Sequence, residues 1–211
     1  MKRPKACPTR RRTALRRWGA ALLLAAVLAG TGMYRVLPGQ AVAVAADRGD
    51  VDHPRVVKWV SDRARSGLYS LVEGDDALML CLLRFSPTGG WYDSGSAVVE
   101  TWQNAAVSAG ICSHNHRQDG REVLFLFGQV AADIRRLELE VTTWEEEAEA
   151  LTVRTVPVPA EDLFEEHGRR YFVTELEDLS LDNWIEGRVL GWTDSGQIRT
   201  SEPLLRWYWN T

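Results

Sequence analysis

The chain has 211 residues, of which 45% are hydrophobic and 26% charged. It is long enough for one domain with its own core, and it needs no metal or dense disulfide framework to fold. Its charge is divided. Residues 1–35 carry nine basic side chains and no acid, which leaves 16 basic against 29 acidic residues in the remainder, a net of −13; a body of that sign repels phosphate and excludes nucleic acid as a partner.

The first 17 residues form a basic stub with Arg10, Arg11, Arg12, Arg16 and Arg17. An uncharged apolar run follows over residues 18–34, and Arg35 with Val36 and Leu37 extends it. Residues 18–37 therefore read as a transmembrane anchor or signal segment, near the lower length limit of about 17 residues for a span. Trp18 and Tyr34 stand at the two ends, where amphipathic aromatics prefer to sit, and positive charge before the span keeps the N-terminus inside and the body outside. Pro38 and Gly39 are expected to stop the helix, and residues 38–52 to be a small-residue linker. The alternative is secretion after cleavage near Ala46, because Ala41, Ala43, Ala45 and Ala46 offer small-x-small sites. Arg11-Arg12-Thr13-Ala14-Leu15-Arg16 resembles a twin-arginine export motif with Ala14 at the position that prefers Phe.

Residues 53–211 form the expected β-rich extracytoplasmic domain. It opens with a short amphipathic helix over residues 52–67, where Val56, Val57, Val60 and Ala64 recur at helical spacing. After Gly67 the period changes. Residues 77–85 are an apolar run of strand length, suited to a strand buried on both faces, and residues 122–130 are a second. Residues 86–95, with Pro87, Gly89 and Gly90, read as a loop, followed by a strand over 96–103. In residues 134–141, Leu137, Leu139 and Val141 alternate with Arg136, Glu138 and Glu140, which marks a sheet with one wet face. Residues 151–156 form a strand that Pro157 and Pro159 confine to an edge. Asp119-Gly120 and residues 193–196 carry hairpin chemistry.

Eight to ten short strands separated by turns imply an antiparallel β-sandwich or barrel; the absence of long helices between strands excludes a parallel α/β fold. Gly128-Gln129-Val130, Ile134, Leu137, Leu139, Tyr171-Phe172 and Asp194-Ser195-Gly196 follow a spacing that resembles the β-sandwich ectodomains of uncharacterised membrane-anchored bacterial proteins, over residues 121–200. The resemblance implies a fold and a location, and it brings no activity or cofactor with it.

Few residues invite chemistry. Cys81 and Cys112 are the only cysteines outside the leader, and in an exported domain they are a candidate disulfide. His114 and His116 point the same way on an extended strand and could begin a zinc or copper site, which would compete with the disulfide for Cys112. Trp91 and Tyr92, in the Gly-rich stretch, are candidate ligand contacts, while Trp207 and Trp209 read as core. The acidic run Glu145, Glu146, Glu147 and Glu149 lacks the spacing of a calcium loop. No nucleophile elbow, phosphate loop, zincin motif or dinucleotide fingerprint is present. The sequence thus favours a membrane-anchored extracytoplasmic binding domain without a cofactor, whose partners are the membrane and an envelope protein or the cell wall. The alternatives are an exported metal-binding protein and an envelope hydrolase.

Overall fold

The computed structural model describes residues 10–30, 34–62, 67–102, 104–115, 122–146, 149–176 and 179–204. Two helices, α1 (Arg10–Gly30) and α2 (Pro38–Arg48), precede twelve strands: β1 (Arg55–Asp62), β2 (Gly67–Glu73), β3 (Ala77–Ser86), β4 (Gly90–Glu100), β5 (Val107–Asn115), β6 (Glu122–Val130), β7 (Ile134–Glu145), β8 (Ala150–Pro157), β9 (Leu163–Glu166), β10 (Arg169–Leu176), β11 (Trp184–Thr193) and β12 (Ile198–Pro203). All strand pairings are antiparallel. They form three four-stranded sheets in the orders β1-β2-β3-β4, β5-β6-β10-β9 and β12-β11-β7-β8. The fold is mainly β, as expected, with more strands and an additional sheet.

The two apolar runs explain how the layers stack. In β3, Leu78, Leu80 and Leu82 join Phe125 and Phe127 of β6 in one core cluster, while Met79, Cys81 and Leu83 turn to the other side, against α2. In β6, Leu124 and Leu126 point away from Phe125, into a core shared with Leu137, Leu139 and Val141 of β7. Each strand is buried on both faces because each lies in a layer covered on two sides. The order of layers is therefore α2, first sheet, middle sheet, third sheet. The alternation read in β7 holds: Leu137, Leu139 and Val141 are buried, and Arg136 is exposed. β8 is an edge strand, and β11 and β12 are antiparallel neighbours around residues 194–197. The Asp119-Gly120 turn lies outside the described residues, although the strands on either side of it, β5 and β6, pair antiparallel.

The N-terminal third departs from expectation in three ways. Residues 38–52 are not a linker: Pro38 starts α2 rather than ending a helix, because proline is pre-organised for the first helical turn and lacks only an amide that would be unpaired there. Gln40 reaches back to accept the Leu37 amide at 3.2 Å, as in a capping box. Ala41, Val42, Ala45 and Ala46 share a face and are buried against Val72, Met79 and Leu83. Their small size lets the helix approach the sheet closely.

Residues 55–62 are strand rather than the expected amphipathic helix. Val56, Val57, Val60 and Trp59 suit a pleated surface, and the backbone finds partners in β2, with Trp59 opposite Ser70 and Val60 opposite Tyr69. A helical spacing of valines was outweighed by their β preference and by a neighbouring strand.

The anchor expected over residues 18–37 is not one helix. α1 ends at Gly30, and residues 34–37 are not helical. The uncharged part of α1, residues 18–30, is about 20 Å long at about 1.5 Å per residue, against about 30 Å of bilayer hydrocarbon. Among the described residues no helix is long and apolar enough to cross a membrane. Leu22, Leu23, Leu24 and Val27 of α1 are all more than half exposed.

Candidate functional site

Cys81 and Cys112 are both buried free thiols. The reason they do not pair is the alternation within β3. Cys81 follows Met79 and Leu83 to the α2 side of the first sheet, whereas Cys112 lies with Leu80 and Leu82 in the core between the first and middle sheets. The Cys81 thiol donates to Asp93 Oδ1 at 3.7 Å. Burial, and after it the Asp93 carboxylate, push both thiols far above their ordinary range, which makes them inert small hydrophobes.

Trp91 and Tyr92 are strand residues of β4, not loop residues, because β3 and β4 continue to a tight hairpin with Gly90 opposite Ser86. Trp91 is partly buried against the α2-side core and meets Phe85 edge-on at 5.7 Å. His114 lies on β5 opposite Val123 and is partly buried. His116, Trp207 and Trp209 lie outside the described residues. Among the described residues no three His, Cys, Asp or Glu side chains converge on a metal position.

One polar cluster is buried. Glu73, 5% exposed at the end of β2, accepts the Tyr171 hydroxyl at 2.9 Å and pairs with Arg55 and Arg169. Burial alone would raise the Glu73 carboxyl, but the hydrogen bonds from Arg55 and Tyr171 and the Arg169 charge outweigh it and hold the carboxyl below its ordinary range. Burial, with the Glu73 bond after it, pushes Tyr171 up to about 12. The cluster joins β1 and β2 of the first sheet to β10 of the middle sheet, and every member is satisfied. It is a structural clamp.

The described residues also enclose an open cleft of about 1220 Å³, which the sequence did not announce. Val98, Ile111, Leu181, Trp184 and Leu204 form its apolar wall, drawn from β4, β5, the start of β11 with the segment before it, and the residue just after β12. Two turns form its rim, residues 49–54 and 74–76, with Asp50, Asp52, Asp75 and Asp76; Glu100 and Trp102 stand at the end of β4. Asp75 pairs with His53 Nδ1 at 2.9 Å and raises the histidine above its ordinary value through that hydrogen bond. Asp50, Asp52, Asp76 and Glu100 take no side-chain hydrogen bond or salt bridge among the described residues. Among the described residues Arg48 is the one basic side chain of the lining.

The rim is held in an unusual backbone. Asp50 and His53 have positive φ, 51° and 47°, a left-handed conformation that costs about 1–2 kcal/mol in most residues and is best tolerated by Asn, Asp and His. The two turns are locked together by the Asp75 amide, which donates to Asp52 O at 3.2 Å, and a Cβ on Gly74 would lie 2.8 Å from that same oxygen. Trp102 is 69% exposed, beside the unpaired carboxylates. Carboxylates and an open aromatic face together favour an organic cation, and the apolar wall favours an attached hydrophobic group. No serine hydroxyl or cysteine thiol bonds to His53 among the described residues, so the His53–Asp75 pair activates no nucleophile there.

No known protein family matches the chain, and neither a curated protein nor a solved structure is detectably similar to it.

Proposed function

We propose that the protein is an extracytoplasmic binding domain held at a bacterial membrane by its N-terminal helix, and that its cleft binds a cationic ligand with an apolar or aromatic portion. The observation that carries the binding reading is the cleft, with an apolar wall of Val98, Ile111 and Trp184 under a rim of unpaired carboxylates and the exposed Trp102. The anchoring reading is supported by α1. Its exposed leucines cover nothing in the domain and favour an apolar medium, and its basic turns favour anionic headgroups. The sheets act as a β-sandwich-like scaffold that holds the rim turns still.

Binding of an Arg- and Leu-rich peptide to the full chain in detergent micelles, followed by calorimetry, tests the cleft. Saturable binding is expected, with none for a Glu- and Leu-rich counterpart. Each of Asp50→Asn, Asp76→Asn and Glu100→Gln should weaken it about 1.5- to 5-fold, the worth of one exposed ion pair. Equal binding of the acidic peptide, or indifference to all three variants, refutes the reading.

A further inference from the structure

Arg35 forms an isolated parallel bridge to the β3–β4 hairpin. Its amide donates to Gly89 O at 3.3 Å, and its carbonyl accepts the Trp91 amide at 2.8 Å. Gly90 has φ +73°, and a Cβ there would collide with the Arg35 backbone. Glycine is thus required twice, for its conformation and for the approach. The chain is pinned to this hairpin five residues after α1 ends at Gly30. Five residues reach at most about 18 Å when fully extended. The C-terminal, apolar end of α1 therefore lies within about 18 Å of the hairpin.

The side chains at that place suit a lipid interface. Val36 is 49% exposed, Leu37 62% and Phe85 51%, and Phe85 stacks edge-on with the partly buried Trp91. Tyr34, Arg35 and Arg84 are partly exposed beside them. Singly exposed apolar residues are ordinary on a protein surface. Here aliphatic, aromatic and arginine side chains gather where the chain is tethered to α1, the composition of an interfacial belt.

We infer that residues 34–37 and the β3–β4 hairpin rest in the headgroup region of the bilayer that holds α1, so that the lipid surface is the partner of this face. The inference rests on the anchoring reading above. It also fixes an orientation, with the first sheet's hairpin toward the lipid.

The test is nitroxide accessibility in the full chain, reconstituted in phosphatidylglycerol/phosphatidylethanolamine vesicles. Cys7→Ser removes the leader thiol, and Cys81 and Cys112 are buried. One label is placed at Thr88→Cys, in the hairpin turn, and a control at Ser195→Cys, in the β11–β12 turn. The Thr88 label should collide more with oxygen and less with a water-soluble nickel chelate than the Ser195 label. Adding Leu37→Ser and Phe85→Ser should move its accessibility toward that of the control. Two equally water-exposed labels on a protein that floats with its vesicles overturn the inference and leave the anchor standing. A protein that does not float overturns both.

Discussion

Glu73 is the residue on which the junction of the first two sheets depends. A 5% exposed carboxylate that receives two arginines and a tyrosine hydroxyl gives up water on every side. Removing its charge leaves Arg55 and Arg169 facing each other across the junction. Because both guanidiniums are about half exposed, the cost falls below that of a fully buried pair. Glu73→Gln should lower unfolding stability by about 1–3 kcal/mol, read by urea denaturation at neutral pH. The folded-state pKa of Glu73 is depressed, so its stabilisation is complete above the ordinary carboxylate range and is lost as pH falls through that range toward the depressed value. The gap between wild type and Glu73→Gln should therefore close under acid; a gap that persists or widens would contradict the clamp. Nothing in the sequence marked Glu73. Its partners lie 18, 96 and 98 residues away: the β1–β2 pairing sets Arg55 opposite it, and only the packing of β10 against the first sheet brings Arg169 and Tyr171. The two cysteines show the reverse. Their residue type and the place of Cys81 in an apolar strand were legible in the sequence, but whether the two met depended on which face of β3 each layer covers.

Among the elements, α2 carries the sharpest consequence. Ala45 is 2% exposed and Ala46 0%, so the residues that suggested a signal-peptidase site sit in the core between the helix and the first sheet. Cleavage after either one would strip α2 away and expose Val72, Met79 and Leu83, at about 1.5–3 kcal/mol each, a large part of a typical domain's stability of about 5–15 kcal/mol. The mature chain should retain α2. Intact-mass analysis of the protein from its native membrane should find no start at Asp47, and a chain beginning at Asp47 should melt well below one beginning at Tyr34. A stable chain from Asp47 onward would show α2 to be dispensable. The sequence misled here for a definable reason. Small residues serve a linker, a cleavage site and a close-packed helix equally well, and a sheet surface must be present before the third can be chosen. The same holds for β1, whose valines fit helical spacing in isolation and a strand once β2 offers its backbone.

For the whole molecule, the separation of charge matters most: a basic leader and a body of net −13, with the cleft rim adding local carboxylates to that field. Association of a basic peptide should be steered by it, so stopped-flow on-rates should fall steeply between low and physiological ionic strength, where the screening length shrinks to about 8 Å. Rates that ignore salt would place recognition in the apolar wall alone. Composition and pattern by themselves determined the mainly β, antiparallel class, the charge division, the two doubly buried strands, the wet face of β7 and the edge position of β8, because these follow from local periodicity and from turn and proline chemistry. Tertiary structure alone decided the third sheet, the docking of α2, the separation of the thiols, the Glu73 clamp and the cleft. Each of these joins residues far apart in the chain across layers, and no local pattern states which layer will cover which face.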